Sequence, residues 1–251
     1  MNNYILKLNN LDFNTLLKNN KDARWNPIAI EDIEKQLNIN TDNHDFNYKI
    51  TKNLAYNFQY LEFLQKQIYE LNLSSNLQKM LYKNYLITGM SIIETIFAFL
   101  VRKNNLWKKE SWVKDKKHSS NYQNSKIVIR DGVQYKIGKY SYKKVKEFYK
   151  HLDFSDLIQI VRDNKLISNI SSYNWKILSN MKKQRNRVHI RITDSVSTEY
   201  NDFDIYSYLN TKFFLYCIIK NSAVISNNDE SKIVFNFLSL TEEEMNRYKR
   251  N

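Results

Sequence analysis

The sequence predicts a mainly helical protein that contains one small β-hairpin. Apolar residues recur at intervals of three and four over several long segments, as in amphipathic helices. Only three glycines and one proline occur in 251 residues, so few positions suit the tight turns and phosphate-binding loops of many α/β enzymes. The clearest strand signal is a pair of apolar runs, 127–130 and 133–137, that flank Asp131-Gly132, a favoured two-residue hairpin turn.

Three helices are predicted in the first hundred residues. A short helix runs from Ile28 to Leu37, directly after the only proline, because proline is favoured at a helix start. A longer helix spans about Lys52 to Leu71, where large apolar side chains repeat at helical spacing. The third begins with a capping-box pattern, Ser75 with Gln78, and continues to about Leu100. We expect this third helix to be central and mostly buried.

The region from about residue 104 to 150 interrupts the helical pattern. It contains the predicted hairpin, and its many lysines alternate with tryptophan and tyrosine. Lysines neutralise phosphates and aromatic rings stack on unpaired bases, so this composition suits nucleic-acid binding. An insertion whose aromatic side chains fill a minor core has the same composition. The sequence leaves both interpretations open.

Further helices are predicted after the insertion. Ser155-Asp156 begins one, and Ser172 is the candidate cap of the next, which spans Tyr173 to about Ile192. A strongly apolar helix follows from Phe203 to Asn221. The tail is predicted to contain a strand, 233–238, and a short helix capped by Thr241 with three glutamates in its first turn.

These elements suggest three parts of the chain. Residues 1–70 form a helical lead-in, residues 71–225 a helical domain with the insertion at about 104–150, and residues 226–251 a tail. A chain of 251 residues is long enough for one large domain with a smaller appendage. Whether residues 1–70 are a regulatory appendage or part of the core is left open.

The composition narrows the class of function. A net charge of +13 favours anionic partners, above all nucleic acid, although solubility alone also explains a basic surface. The glycines are scattered, so neither a dinucleotide fingerprint nor a P-loop can be placed. The histidines have no cysteine nearby in zinc-ligand spacing. We therefore expect neither a cofactor nor a tightly bound metal.

The same composition suggests a soluble cytoplasmic protein. Cys217 is the only cysteine, which excludes an intrachain disulfide and fits a reducing compartment. The first residues lack the apolar segment of a signal peptide. The longest strongly apolar stretch, 91–101, is too short to span a bilayer and contains Glu94. We expect no membrane partner.

The pentapeptide RNRVH, residues 185–189, is the most informative stretch of the chain. On a helix, Arg185 and His189 lie on one face, since they are four residues apart. A helical wheel places both beside the apolar stripe of Leu178 and Met181, whereas Arg187 points away. An arginine stabilises phosphate and a histidine moves protons near neutral pH, so the pair can in principle cut RNA without a metal.

Arg185 needs a partner if it lies beside a buried stripe, because an unpaired charge removed from water is costly. Glu94 is the partner we predict, since it is a charged residue on an otherwise apolar helix. A structural ion pair for Arg185 and a hydrogen-bonded core histidine for His189 would also explain these residues, without any catalysis.

These residues resemble the HEPN superfamily, small helical domains of toxin and antiviral-defence ribonucleases. The resemblance covers roughly residues 75–222 and rests on the segments 89–95 (GMSIIET), 154–167 and 181–190. The family motif is an arginine, usually followed by a polar residue such as asparagine, and then a histidine. Arg185, Asn186 and His189 fill these places, with three residues between arginine and histidine where the family usually has four to six.

The resemblance implies a HEPN-like helical bundle and a metal-independent endoribonuclease of a toxin-antitoxin or abortive-infection system. It implies a homodimer in which two motifs meet at a composite cleft, and it suggests an antitoxin or defence-system partner. His189 would take the proton of a ribose 2′-hydroxyl, Arg185 would stabilise charge on the phosphorus, and Asn186 would orient His189 or a phosphate oxygen.

The remaining predicted site residues are the carboxylate of the predicted ion pair and four cations. Glu94 would support Arg185, and four basic side chains would hold the flanking RNA backbone, namely Lys182, Lys183, Arg187 and Arg191. Two alternatives stay open. The first is a catalytically inactive RNA-binding or scaffold protein of the same fold. The second is a subunit whose basic surface binds an acidic partner protein.

Overall fold

The computed structural model describes residues 26–41, 43–115, 126–137, 141–168, 170–187, 202–220, 223–226 and 228–249. Over these residues the protein is mainly helical, with eight α-helices and two small antiparallel sheets of two strands each. The predicted class, mainly helical with a small hairpin insertion, is confirmed.

The α-helices in chain order are α1 (Ile30–Gln36), α2 (His44–Glu70), α3 (Ser75–Lys103), α4 (Phe154–Asp163), α5 (Ser172–Asn186), α6 (Ile205–Ile219), α7 (Asp229–Val234) and α8 (Glu242–Lys249). The strands are β1 (Lys109–Asp115), β2 (Lys126–Arg130), β3 (Val133–Ile137) and β4 (Ser141–Tyr149). A short 3₁₀ helix, Asn236–Leu238, lies between α7 and α8.

Helix α3 is the centre of the bundle, as predicted. It packs against α2, α4, α5 and α6, and most of its apolar side chains are fully buried. Gly89 permits the close approach of α6, because a Cβ at this position would overlap Cγ2 of Thr211. Helix α3 therefore fixes the positions of the helices around it.

Helix α3 is also the one helix in the described part of the chain that is long and apolar enough to cross a membrane. This test uses only length and composition, and 67% of the most apolar stretch of α3 is buried inside the fold. A core helix of a soluble protein has the same property. The cytoplasmic location stays a prediction.

Helix α2 is longer than predicted at its N-terminal end. It begins at His44 because the side chain of Asn43 accepts a hydrogen bond from the Phe46 amide at 2.9 Å. Its predicted apolar stripe is buried and belongs to the same core as α3. The described residues before position 70 thus contribute directly to that core.

Several predicted helix starts are shifted by one or two residues. The Ser75-Gln78 capping box is absent, because Ser74 is the N-cap and its side chain makes no capping bond. Helix α4 begins at Phe154, where Asp153 forms a capping box with Asp156. A carboxylate at the N-cap thus replaces the predicted start at Ser155-Asp156.

The predicted strand 233–238 is wrong. Residues 229–234 form α7, whose N-terminal turn is stabilised by a hydrogen bond from the Ser231 amide to Asn228 Oδ1 at 2.7 Å, and the 3₁₀ helix follows. A local cap outweighs the strand propensity of the apolar residues here. The predicted Thr241 cap of α8 is confirmed, since Thr241 Oγ1 accepts a hydrogen bond from the Glu244 amide at 3.2 Å.

The predicted hairpin is confirmed as β2 and β3, with Arg130 paired to Val133. Asp131 and Gly132 both have positive φ angles, 52° and 76°, as a type I′ turn requires. A second antiparallel pair, β1 with β4, was not predicted. We call this pair of strands the outer ribbon.

The two ends of the insertion are joined by hydrogen bonds. Trp107 Nε1 donates to the Lys150 carbonyl at 2.7 Å, and the Lys150 amide donates to the Lys108 carbonyl at 3.0 Å. The chain therefore leaves the helical bundle after α3 and returns to it before α4 at nearly the same point.

Candidate functional site

Helix α5 carries the arginine of the predicted motif. The helix is capped by Ser171, whose hydroxyl accepts a hydrogen bond from the Asn174 amide. Leu178 and Met181 are buried, as the helical wheel predicts. Arg185 lies one turn beyond Met181 on the same side, so its side chain reaches the edge of the core.

The predicted ion pair between Arg185 and Glu94 is present. Arg185 Nη2 lies 2.8 Å from Glu94 Oε2, and the two side chains are 27% and 31% exposed. The guanidinium also lies over the Phe154 ring, 5.7 Å from its centroid. Helices α3, α4 and α5 thus hold the guanidinium jointly at the surface of the bundle.

The arrangement leaves hydrogen-bonding capacity on Arg185. A guanidinium has five N–H donors, and Glu94 is its one acidic partner among the described residues. The carboxylate and the ring restrict the direction of the side chain, whereas donors on the open side remain available to an anion. A phosphate oxygen is a suitable acceptor.

The predicted end of this helix is wrong. Helix α5 ends at Asn186, and the Arg187 amide donates back to the Gln184 carbonyl at 3.0 Å. The sequence beyond is rich in β-branched residues, which have lower helix propensity. His189 is therefore not a residue of α5, so the four-residue helical spacing between Arg185 and His189 does not apply within this helix. His189 and Arg191 lie outside the described residues.

The other predicted basic residues point in different directions. The ammonium of Lys182 donates a hydrogen bond to the hydroxyl of Ser155 on α4. Lys183 is exposed, as is Asn186 at the end of the helix. Arg187 points away from the buried stripe, as predicted, and pairs with Asp202 at 3.0 Å.

A pocket of about 370 Å³ opens between α5 and α6 next to Lys183. Three amide side chains help to line it, those of Asn180, Gln184 and Asn210. Gln184 is anchored, because its Nε2 donates to the Asp202 carbonyl at 2.9 Å. Amides donate and accept hydrogen bonds, so the pocket offers neutral polar contacts beside the cationic end of α5.

A second charged cluster was missed from the sequence. Lys212 on α6 is fully buried, and its Nζ lies 2.8 Å from Glu244 Oε2 on α8. The hydroxyls of Tyr69 and Tyr208 both contact Glu244 Oε1, that of Tyr208 at 2.8 Å. The Thr241 amide donates to the other carboxylate oxygen at 2.8 Å. We call these residues the buried cluster.

Burial and hydrogen bonds shift the pKa values of the side chains in the buried cluster. Burial raises the pKa of Glu244, but hydrogen bonds from Lys212, Tyr69 and the Thr241 amide outweigh it, so that the net pKa is below its ordinary value. Burial also lowers the pKa of Lys212, against the opposing effect of Glu244. Burial and the hydrogen bond to Glu244 raise the pKa of Tyr69.

A sequence signal for this cluster existed. Lys212 is a charged residue within the strongly apolar helix predicted from Phe203 to Asn221, in the same way that Glu94 is charged within α3. The reasoning that led from Glu94 to Arg185 applies equally to Lys212. Its partner was harder to identify, because three consecutive glutamates begin α8.

The described residues offer no obvious metal centre. Within these residues, no group of three or more histidine, cysteine, aspartate or glutamate side chains could hold a metal ion. Cys217 is half-buried, and burial raises the pKa of its thiol, which disfavours the reactive thiolate.

Comparison of the chain with models of known protein families, with curated proteins and with solved structures finds no match in any of the three.

Proposed function

We propose that this protein is a metal-independent endoribonuclease of the HEPN type, acting as a homodimer in a toxin-antitoxin or abortive-infection system. The observation that carries the proposal is the partly exposed guanidinium of Arg185, fixed by Glu94 and the Phe154 ring at the end of α5. A cation held in one direction can stabilise the charge that builds on a phosphate during cleavage. The basic chain suits the same substrate.

The proposed reaction is an attack by the ribose 2′-oxygen on the adjacent phosphorus. His189 takes the proton of the 2′-hydroxyl, and the bond between phosphorus and the 5′-oxygen breaks as the new bond forms. His189 of the partner subunit protonates the leaving 5′-oxygen. Arg185 stabilises the phosphorane oxygens, and Asn186 orients His189 or a phosphate oxygen. The products are a 2′,3′-cyclic phosphate and a 5′-hydroxyl.

The backbone on either side of the scissile phosphate contacts basic side chains in this proposal. Lys182 and Lys183 supply cations from α5, and Arg187 and Arg191 extend the same basic segment. Glu94 is a positioning residue, because it acts through Arg185 and does not itself contact the substrate.

Cleavage of a labelled single-stranded RNA in the presence of EDTA tests the proposal. We expect wild-type protein to cut it and to leave 2′,3′-cyclic phosphate ends. His189→Ala and Arg185→Ala should each lower the rate by about a hundredfold or more, as for the loss of other transition-state contacts. A substrate with 2′-deoxyribose at the cleavage site should stay intact.

Arg247→Gln is the matched control for charge. Arg247 is exposed and pairs with Glu243 within its own helix, so the variant removes one positive charge from a different helix. It should cut RNA at the wild-type rate. Unchanged cleavage by His189→Ala would refute the catalytic role of His189.

A second candidate function is RNA binding without cleavage. Two observations favour it: α5 ends before His189, and the charge of Arg185 already has an acidic partner. In this case wild-type protein binds RNA without cutting it, and His189→Ala binds as tightly as wild type. Solution scattering with and without RNA tests the homodimer for both functions.

A further inference from the structure

Most of the net positive charge of this protein lies in one segment. Residues 104–150 contain thirteen lysines and arginines and four acidic residues, a net charge of +9 out of +13 for the whole chain. The described strands of this segment include the outer ribbon, β1 with β4. Any polyanion that approaches the protein therefore meets the strongest attraction at this segment.

One face of the outer ribbon combines aromatic rings with cations. Trp112 is paired with Lys144, and Lys114 with Tyr142. Directly opposite residues share a face, as do residues two apart on one strand, so these four side chains lie together. All four are exposed, with Trp112 at 54% and Tyr142 at 58%. Aromatic and basic side chains alternate along and across this face.

In the described part of the chain, fewer lysines of the outer ribbon than of the helices are paired with a carboxylate. Lys143, Lys144 and Lys146 on β4 have no ion-pair partner among the described residues, whereas several helical lysines pair with carboxylates nearby. The ribbon does contain two ion pairs, Lys109 with Glu147 and Lys150 with Glu110, at its base. Within the described part of the chain, β4 therefore presents three exposed lysines without a carboxylate partner, next to exposed aromatic rings.

We propose that the face of the outer ribbon formed by Trp112, Lys114, Tyr142 and Lys144 binds single-stranded RNA. The proposal deepens the proposed function, on which it rests, by assigning the substrate class. Trp112 and Tyr142 lie diagonally across the two strands, roughly 7 Å apart. Two rings in this arrangement can stack on two unpaired bases, while the lysines contact the phosphates between them.

A single strand fits this face better than a duplex does. Bases in a duplex are paired and stacked on each other, so exposed protein rings have no free base face to contact. The two-stranded ribbon also has exposed aromatic side chains where a purely electrostatic arm would need only lysine. The rings thus indicate unpaired bases, and the lysines indicate the backbone.

Fluorescence anisotropy with a labelled oligouridylate and with an RNA duplex of equal length tests the proposal. The protein carries His189→Ala, so that the RNA stays intact during the measurement. We expect tighter binding of the single strand, and Trp112→Ala or Tyr142→Ala should weaken it about tenfold each, in the range of one lost base stack. Trp112→Phe should retain most of the affinity because it keeps a ring.

The lysines have a separate readout. Replacing Lys114 and Lys144 together by alanine should reduce the slope of log affinity against log salt by about 1.4, as expected for two phosphate contacts with a single strand. The aromatic variants should leave this slope unchanged. Tyr56→Ala is the matched control, since Tyr56 is an exposed tyrosine on α2, and it should bind like the parent. Circular dichroism checks that each variant stays folded.

These experiments can refute the RNA-binding site on the ribbon and the endoribonuclease activity independently of each other. Equal binding of duplex and single strand, or unchanged binding by both aromatic variants, would overturn the ribbon site even if wild-type protein cuts RNA. Binding of vesicles with anionic lipid that depends on Trp112, without any RNA binding, would also overturn it. Ring-dependent binding of single strands by a protein that does not cut RNA would support the ribbon site and refute the endoribonuclease.

Discussion

Two ion pairs in the helical body have the same 2.8 Å contact but opposite surroundings. Lys212 and Glu244 are enclosed, and the carboxylate also accepts hydrogen bonds from two tyrosine hydroxyls and a backbone amide. Arg185 and Glu94 are about one-third exposed, with an aromatic ring on one side and solvent on the other. The first pair has its hydrogen bonds satisfied inside the protein, whereas the second can still bind an external group.

Both pairs are charged, so charge alone does not distinguish a structural ion pair from a candidate site. The difference is whether the polar atoms of the pair are all hydrogen-bonded within the protein. A buried pair is maintained because removal of one partner leaves an uncompensated charge in the core. A partly exposed pair contributes little to stability, since solvent screens both charges. Arg185 can therefore serve a substrate without a large cost to the fold.

The largest effect is expected for Lys212→Met. It leaves the Glu244 carboxylate buried without its cation, which should lower the free energy of unfolding by about 3–5 kcal/mol. Urea denaturation followed by circular dichroism measures this difference. Lys232→Met is the control, because Lys232 is exposed and pairs with exposed Asp229. If Lys212→Met lowers the free energy of unfolding by less than about 1 kcal/mol, the buried pair stabilises the fold no more than a surface pair does. The proposed difference between the two ion pairs would then be wrong.

Gly89→Ala should have the next largest effect, because Gly89 lies on the helix of Glu94 and packs against α6, the helix of Lys212. The added methyl group would overlap Cγ2 of Thr211, and overpacking of this kind costs about 1–3 kcal/mol. Thr211→Ser removes that methyl group and keeps the hydroxyl that donates to the Ser207 carbonyl. The double variant should regain part of the stability in thermal unfolding. No recovery would mean that another contact limits the approach of α6.

Acid should selectively weaken the buried cluster. The pKa of Glu244 is lower in the folded protein than its ordinary value of 4.5, so the folded state binds the proton less readily than the unfolded state. Its contribution to stability is complete above pH 4.5 and is lost as pH falls through the folded pKa. The free energy of unfolding of Glu244→Gln should decline less between pH 4.5 and pH 3 than that of wild type. Parallel pH profiles would contradict this role.

The smallest effect on stability is expected for Arg185→Ala. A partly exposed pair of this kind contributes at most about 1 kcal/mol to folding. The same variant should lose RNA cleavage, so stability and activity are measured on one protein preparation. Glu94→Gln should lower kcat more than it raises KM if Glu94 directs Arg185, and Glu94→Asp should restore part of the rate. A large loss of stability in Arg185→Ala would make this pair structural as well.

Local signals in the sequence were sufficient for part of the structure. Asp131-Gly132 specifies its turn through two residues alone, and the hairpin formed where expected. Glu94 and Arg185 are each a charge on an apolar helical face, so their pairing followed from the cost of burying either one alone. In both cases the physical constraint is visible within a few residues of sequence.

Other features depend on contacts that are distant in sequence. Strands β1 and β4 are about 30 residues apart, and an irregularity in register between Glu110 and Trp112 breaks the simple alternation of side chains. Glu244 is one of three consecutive glutamates, and only the packing of α8 on Tyr69 and Lys212 distinguishes it. The end of α5 was misjudged because apolar periodicity continues past Asn186 into β-branched sequence.

The hydrogen bonds that join the two ends of the insertion make it separable from the helical bundle. Trp107 and Lys108 meet Lys150 where the chain leaves and re-enters the bundle, so a short linker can join α3 to α4 in place of the segment between them. The helical core would then fold without it, because surface segments with adjoining ends tolerate deletion and exchange. The insertion can thus change its sequence, and with it the RNA preference that we propose for the outer ribbon, independently of the helices that hold Arg185 and Glu94.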